Sequence, residues 1–179
     1  MSQPGQGPSK GRIRHFALSV PDPWLAAEFY RQTFGLEVLG ETDSKIAEGV
    51  FLTDGVVNFA LLKFKSDEMS QGTGKDFVGL HHMGFWVDDQ RATADVAQAH
   101  GATWVMGDPA QSKGGFEVKY ADPNGIVFDI AEEGWGGAQK NPGAADNVVC
   151  PNTREFLPQF AERRERARAQ VAAARQEKV

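Results

Sequence analysis

A chain of 179 residues, 41% of them hydrophobic, can bury one sizeable core or two very small ones. Its net charge of −5 argues against a general nucleic-acid binder, which would carry a basic surface. The single cysteine, Cys150, excludes an internal disulfide and sets a reducing cytoplasm as the expected setting; beside Pro151 in a polar segment it reads as a loop thiol rather than a nucleophile.

Residues 1–11 are polar and glycine-rich, without the apolar core of a signal peptide, and read as a disordered tail; no apolar run is long enough to span a membrane. From there the pattern predicts a strand over Ile13 to Val20 and a helix over Pro23 to Phe34. Asp22 is its N-cap, Gly35 its stop, and Trp24, Ala27, Phe34 and either Leu25 or Tyr30 its apolar stripe. Strands follow near Leu36 to Thr42, Ala47 to Leu52 and Val56 to Phe64, completing a first unit over 12–65. After a polar linker, 66–76, the order recurs over 77–133. There is a strand at Leu80 to Val87, an Asp89-capped helix from Gln90 to His100, and strands near Thr103 to Met106, Phe116 to Tyr120 and Ile126 to Ala131.

The recurrence is visible in the residues themselves. His15-Phe-Ala-Leu-Ser-Val-Pro-Asp22 is echoed sixty-seven positions later by His82-Met-Gly-Phe-Trp-Val-Asp-Asp89, and aligning the last strands pairs Ala60 with Asp129. The expected fold is therefore α+β: two βαβββ modules, plus a C-terminal helical extension. Beyond Trp135, Gly134-Trp-Gly-Gly137 and Asn141-Pro-Gly143 break the pattern, and the extension, 134–179, carries a helix from about residue 153. Phe156, Phe160, Ala167, Val171 and Ala174 fall near one side of it, with Arg163, Arg164, Arg166, Arg168 and Arg175 elsewhere. A solvated terminal helix anchored by its two phenylalanines is favoured over an arm for a second subunit or an acidic partner.

Strand alternation turns the repeat into a site. His15, Ala17 and Ser19 share one face, with Phe16, Leu18 and Val20 on the other; His82, Gly84 and Trp86 correspond to the first set, which sends His81 to the opposite side. Asn58, Ala60 and Leu62 share a face, as do Val127, Asp129 and Ala131. Asp129 is an acid in a strand of Ile, Val and Phe, and burying it unpaired would be costly. Taken singly, each residue has an ordinary explanation: a hydrogen-bonded structural histidine, or an aspartate paired with a lysine or arginine. Taken together, two imidazoles and one carboxylate at repeat-related positions suit Fe(II), Mn(II) or a related divalent ion with positions left for substrate.

With these residues in view, the chain resembles the vicinal oxygen chelate superfamily, which includes glyoxalase I, methylmalonyl-CoA epimerase, extradiol dioxygenases and fosfomycin and bleomycin resistance proteins. The resemblance spans roughly Arg12 to Glu133. It rests on Ile13-Arg-His-Phe-Ala-Leu-Ser-Val, Phe29-Tyr-Arg-Gln-Thr-Phe-Gly-Leu, His82-Met-Gly-Phe-Trp-Val and Asp122-Pro-Asn-Gly-Ile-Val-Phe-Asp-Ile. The resemblance implies that the two βαβββ modules pair into an open, barrel-like cleft, with metal ligands by position at His15, His82 and Asp129, and a homodimer acting on a small molecule.

Two departures bear on the reaction. Ala60 stands where glyoxalase I and the epimerase have a fourth ligand, which points to the three-ligand arrangement of the dioxygenases, and Asp129 stands where the family usually has Glu. Tyr120-Ala-Asp122-Pro-Asn-Gly125 is one residue short of the extradiol pattern, and the only histidine between His82 and Tyr120 is His100, at a helix end favoured by the dipole. Tyr120 is the candidate catalytic donor, while Ser19, Asn58, Ala60 and Trp86 are candidate substrate contacts, with Leu62, Val127 and Phe51 beside the metal. Ser112-Lys-Gly-Gly115 is a loop able to supply a cationic contact or close a pocket. The expected function is an oxidoreductase, a dioxygenase-like Fe(II) enzyme, with Mn(II), Zn(II) or Ni(II) as other metals. The alternatives are an isomerase, epimerase or lyase using the metal as a Lewis acid, and a drug-binding protein without catalysis.

Overall fold

The computed structural model describes residues 10–111 and 117–176; residues 1–9, the Ser112–Gly115 loop and Lys178 lie outside the described residues. Ten elements form two βαβββ modules. The first is β1 (Arg12–Ser19), α1 (Pro23–Phe34), β2 (Glu37–Asp43), β3 (Ala47–Thr53) and β4 (Asn58–Phe64); the second is β5 (Gly79–Trp86), α2 (Gln90–Ala99), β6 (Thr103–Met106), β7 (Val118–Ala121) and β8 (Val127–Ala131). The strands make one mixed sheet in the order β2-β3-β4-β1-β5-β8-β7-β6. Within each module the first strand runs parallel to the last, and the modules join where β1 lies antiparallel to β5. The end strands β2 and β6 do not meet, so the sheet stays open.

Local chemistry sets the helices where the sequence predicts them. Asp22 Oδ1 accepts from the amides of Trp24 and Leu25, Gly35 closes α1 at φ 72°, and Asp89 Oδ1 accepts from Ala92 N to start α2. The α1 stripe is narrower than expected. Trp24 and Ala27 are buried with Leu52, Leu61 and Phe160, whereas Phe34 is 64% exposed and Glu28, bound to Arg31 and Gln32, is buried instead. The helix-facing side of β1 behaves as alternation predicts: Leu18 and Val20 pack on this cluster, and Phe16 meets Phe59.

A 3-10 turn (Pro158–Phe160) leads into α3 (Ala161–Gln176), which packs on α1. Phe160 is the anchor and stacks on Trp24 at 4.5 Å; Phe156 stays half exposed beside Arg164. Two arginines of α3 are spent within the chain. Arg164 reaches both Glu41 oxygens at 2.7 and 2.9 Å, and Arg163 pairs with Glu48 at 2.6 Å. Between β8 and α3 a long strap crosses the open side of the first module, tied down by Asn58 Nδ2 to the carbonyls of Trp135 and Gly136, by Thr53 Oγ1 to Gly137 O, and by Asn152 Nδ2 to Leu39 O. No helix among the described residues is long and apolar enough to cross a membrane.

Candidate metal centre

Register places the site. His15 on β1 is opposite Gly84 on β5, Gly84 is opposite Asp129 on β8, and Asp129 is opposite Lys119 on β7, so one row across four strands reads His15-Gly84-Asp129-Lys119. The next row brings Ala60 against Ala17 and Ala17 against His82. A single ligand atom from each of His15, His82 and Asp129 lies within 4.8 Å of the others. Asp129 Oδ2 is 3.3 Å from His15 Nε2 and 3.4 Å from His82 Nε2. Gly84 is what lets them meet: a Cβ there would lie 2.3 Å from His15 Cε1 and 2.7 Å from Asp129 Oδ1.

Two bulges alter the alternation expected from sequence. Between Ile13 and His15 one extra residue of β1 opposes β5, which turns both Arg14 and His15 inward, and a second irregularity beside Ala17 does the same for His81 and His82. His81 therefore does not face away. Its ring stacks on Phe64, its Nε2 donates to Ser70 O at 2.7 Å, and its Nδ1 lies 2.7 Å from His82 Nδ1. Because the carbonyl can only accept, His81 Nδ1 is the acceptor, His82 Nδ1 carries the proton, and His82 Nε2 is left with its lone pair toward Asp129. Burial pulls both imidazoles below the usual histidine range, His82 far below with the help of Lys119, which favours the neutral forms that this hydrogen-bond chain requires.

Arg14 and Lys119 were not singled out by the sequence reading. Arg14 is fully buried by its bulge and binds Asp129 Oδ1 at 2.7 Å and Glu117 Oε1 at 2.5 Å. Lys119 Nζ lies 2.8 Å from Asp129 Oδ2, 3.0 Å from His82 Nε2 and 3.3 Å from Glu117 Oε2. Burial pushes the Asp129 carboxyl up, but Lys119, His15 and Arg14 hold it well below the ordinary range. Burial and Asp129 push Glu117 up too; Arg14 and Lys119 outweigh them and bring it down to about 2. For Lys119 the burial cost is exceeded by the two carboxylates, so the ammonium stays charged.

The donor set fits a divalent ion. Metal–ligand bonds of about 2.0–2.2 Å place neighbouring donors roughly 3–3.5 Å apart, as Asp129 Oδ2 stands from each imidazole, and the His82 tautomer is the one a metal needs. Lys119 already touches two of the three donors, so an ion entering there has an ammonium to displace. The paired-aspartate explanation and the metal explanation thus meet at the same atoms.

Other expected site residues separate into two groups. A cavity of about 410 Å³ is lined by His15, His82, Glu117, Lys119, Ala60, Leu62, Phe51 and Trp135, so Ala60, Leu62 and Phe51 stand where sequence puts them. Ser19 and Trp86 are buried but do not line it; Trp86 lies under the strap, with a Cβ on Gly134 only 2.5 Å from its ring. Val127 likewise stays outside. Asn58 holds the strap, and Tyr120, on the opposite face of β7 from Lys119, is buried with Val87, Ala94 and Ile130 against α2. Tyr120 therefore does not line the cavity with the metal donors. His100 caps α2, its Nδ1 donating to Val96 O.

Residues 12–130 match the family model described as Glyoxalase/Bleomycin resistance protein/Dioxygenase superfamily. No curated protein matches. Among solved structures, a hypothetical protein of Bacillus halodurans C-125 superposes with TM-score 0.57 at 18% identity, covering 70% of this chain and 96% of that one. A Streptomyces coelicolor methylmalonyl-CoA epimerase variant in complex with 2-nitronate-propionyl-CoA gives 0.56 at 22% identity, covering 66% and 94%. A methylmalonyl-CoA epimerase in complex with methylmalonyl-CoA and NH4+ gives 0.56 at 22%, covering 68% and 94%. At these identities the likeness is one of fold. The matched segment contains both modules and all three donors, and the chain belongs to the Glyoxalase/Bleomycin resistance protein/Dioxygenase superfamily, the vicinal oxygen chelate fold.

Proposed function

We propose that this chain is a divalent-metal enzyme that moves a proton on a small, oxygen-chelating organic substrate, an isomerase or lyase in chemistry rather than a ring-cleaving oxygenase. One observation carries the reading: Glu117 and Lys119 form an ion pair beside the metal donors and on the cavity wall. His15, His82 and Asp129 would hold the ion, which would supply Lewis acidity toward a substrate carbonyl and so acidify the C–H next to it. Glu117 is ionised and lines the cavity, so it can take that proton. The cations that keep it ionised also make it a weak base, which suits a C–H already activated. Lys119 Nζ keeps three protons and can donate to the oxygen on which charge develops. Phe51, Leu62 and Trp135 give the same space an apolar wall.

A second reading, the Fe(II) dioxygenase, keeps one observation in its favour: Ala60 leaves the first-module side of the metal donors without a protein ligand. We further propose that the protein acts in the cytoplasm as a homodimer; light scattering tests the homodimer. The discriminating experiment reconstitutes the protein with Zn(II), Mn(II), Ni(II) or, anaerobically, Fe(II). Hydrogen exchange of small 2-oxo acids and thioesters in D2O is followed by NMR, with oxygen uptake on 2-oxo acids and catechols in parallel. Metal-dependent exchange without oxygen uptake, lost in His82→Ala, is expected. Oxygen uptake restricted to Fe(II), without exchange, overturns the first reading in favour of the second.

A further inference from the structure

The charges next to the metal donors cancel: Arg14 and Lys119 stand against Glu117 and Asp129. Arg154, from the strap, breaks that balance. It lines the same cavity, and among the described residues no carboxylate lies within ion-pairing distance of its guanidinium. The group is fixed rather than loose, because it sits 3.3 Å from the centroid of Phe51 and 4.8 Å from that of Trp135, two rings that pack on each other at 5.0 Å. Burial draws it down to about 10, which still leaves it cationic at neutral pH. Glu117 acts on it only from beyond ion-pairing distance and is itself paired with Arg14 and Lys119, so this half-buried cation has no carboxylate of its own, which is costly unless something that binds supplies the charge. Gln71, with φ 55°, lines the cavity too, and its buried Oε1 has no donor. Two polar groups thus await a ligand in a space that they share with the metal donors and with an apolar wall of Phe51, Leu62 and Trp135.

We infer that the cavity is a subsite for a small organic acid whose carboxylate pairs with Arg154 while its apolar body lies against Phe51, Leu62 and Trp135. A guanidinium fork matches a carboxylate in two parallel hydrogen bonds, which a lysine could not reproduce. The volume, about 410 Å³, lies near the lower end of small-ligand cavities, so the acid is compact. This names the substrate class for the reaction proposed above and rests on that reading only for what happens to the acid, not for its binding.

The test uses the full-length protein treated with EDTA, so that no metal can capture the carboxylate, and a matched pair of probes, 3-phenylpropanoate and the neutral 3-phenylpropanamide, titrated by calorimetry. Wild type should prefer the carboxylate by about tenfold, the size of one charge-assisted pair. Arg154→Met and Arg154→Gln should bring the two probes within about twofold, while Zn(II) affinity by chelator competition is unchanged within the same margin. Circular dichroism confirms that the variants fold, and Arg154→Lys, which keeps the charge, should recover part of the preference if either loses structure. Equal binding of the two probes by wild type, or binding of neither, overturns the inference, as does a preference that survives both neutral variants. A preference that disappears with Arg154 in a protein that binds no Zn(II) sustains this subsite and removes only the metal reading.

Discussion

Lys119 and Asp129 are cross-strand partners in the β7–β8 hairpin, and Lys119 Nζ lies 2.8 Å from Oδ2, the oxygen that also faces both imidazole Nε2 atoms. The ammonium makes two of the contacts a metal ion would make. Replacing it by an apolar side chain of similar length should strengthen metal binding, because an entering cation no longer has to displace a buried like charge. Lys119→Met is expected to lower the Zn(II) dissociation constant by about tenfold or more in chelator competition. The metal-free protein should lose about 3 kcal/mol, since Asp129 keeps only Arg14 as a strong cationic partner. Unchanged or weaker Zn(II) binding in this variant would sink the competition.

The relay from Ser70 O through His81 to His82 fixes which nitrogen of His82 is free. His81→Phe keeps the stack on Phe64 but removes the acceptor for His82 Nδ1–H, so that His82 can settle in the other tautomer. The expected cost is about 10- to 100-fold in Zn(II) affinity, as for other partners that orient a ligating histidine. NMR of the imidazole nitrogens should show His82 losing its single tautomer, and an affinity equal to wild type would rule out the relay.

Stability of the metal-free protein should fall as pH falls, in two stages. His82 is held well below its ordinary 6.5 by burial, so the unfolded chain binds a proton that the folded one refuses, and stability declines as pH drops below about 6.5. Glu117 is shifted from 4.5 to about 2, and Asp129 is lowered well below 3.8. Their contribution is fully present above those unfolded values and is lost as pH falls through the folded ones. Melting temperature against pH should therefore slope gently from about pH 6.5 and more steeply below about pH 4.5. Asp129→Asn should flatten part of the lower limb and Asp129→Asn with Glu117→Gln most of it, and a steep limb that survives in the double variant would place the acid sensitivity elsewhere.

Much of this was legible in the sequence because repeats and caps are local signals. The two modules, both helix starts and the His15, His82 and Asp129 triad follow from residue types at fixed spacing. The rest depended on register. Alternation gives a residue's face only on a regular strand, and the bulges at Arg14 and His81 broke it where the site lies. Lys119 was within reach of sequence reasoning. In a hairpin turning through Asp122 to Gly125 it pairs with Asp129, and that same pairing turns its neighbour Tyr120 toward α2. Arg154 carried no such signal. Its place is set by a strap whose path is fixed by hydrogen bonds across about a hundred residues of sequence, as between Asn152 and Leu39.

Gly84 tests the geometry of the row itself. Its Cβ position is filled by His15 Cε1 at 2.3 Å, His15 Nδ1 at 2.4 Å and Asp129 Oδ1 at 2.7 Å, none of them a flexible end with somewhere to go. Gly84→Ala should cost about 1–3 kcal/mol from overpacking and abolish measurable Zn(II) binding by pushing the donors apart. The repeat-related Ala17 shows that a methyl is tolerated one module away, where Ala60 replaces the acid. Normal Zn(II) affinity in Gly84→Ala would mean that the donors do not converge as described.

Asn58 separates a strap-holding role from a substrate-binding one. Its Nδ2 donates to Trp135 O at 3.1 Å and Gly136 O at 2.9 Å, and this tie keeps Trp135 against His15 and Phe51 on the cavity wall. Asn58→Ala leaves both carbonyls without that donor in a buried site, a loss of about 1–3 kcal/mol. The strap between Gly134 and Leu157 should then be cut faster in limited proteolysis. Affinity for 3-phenylpropanoate should fall along with it, because Arg154 rides on the same segment, whereas Zn(II) affinity should stay near wild type, since no metal donor is removed. If Asn58 instead served the ligand directly, probe affinity would fall with the proteolysis rate unchanged, and that pattern would return Asn58 to the substrate contacts that strand alternation assigns it.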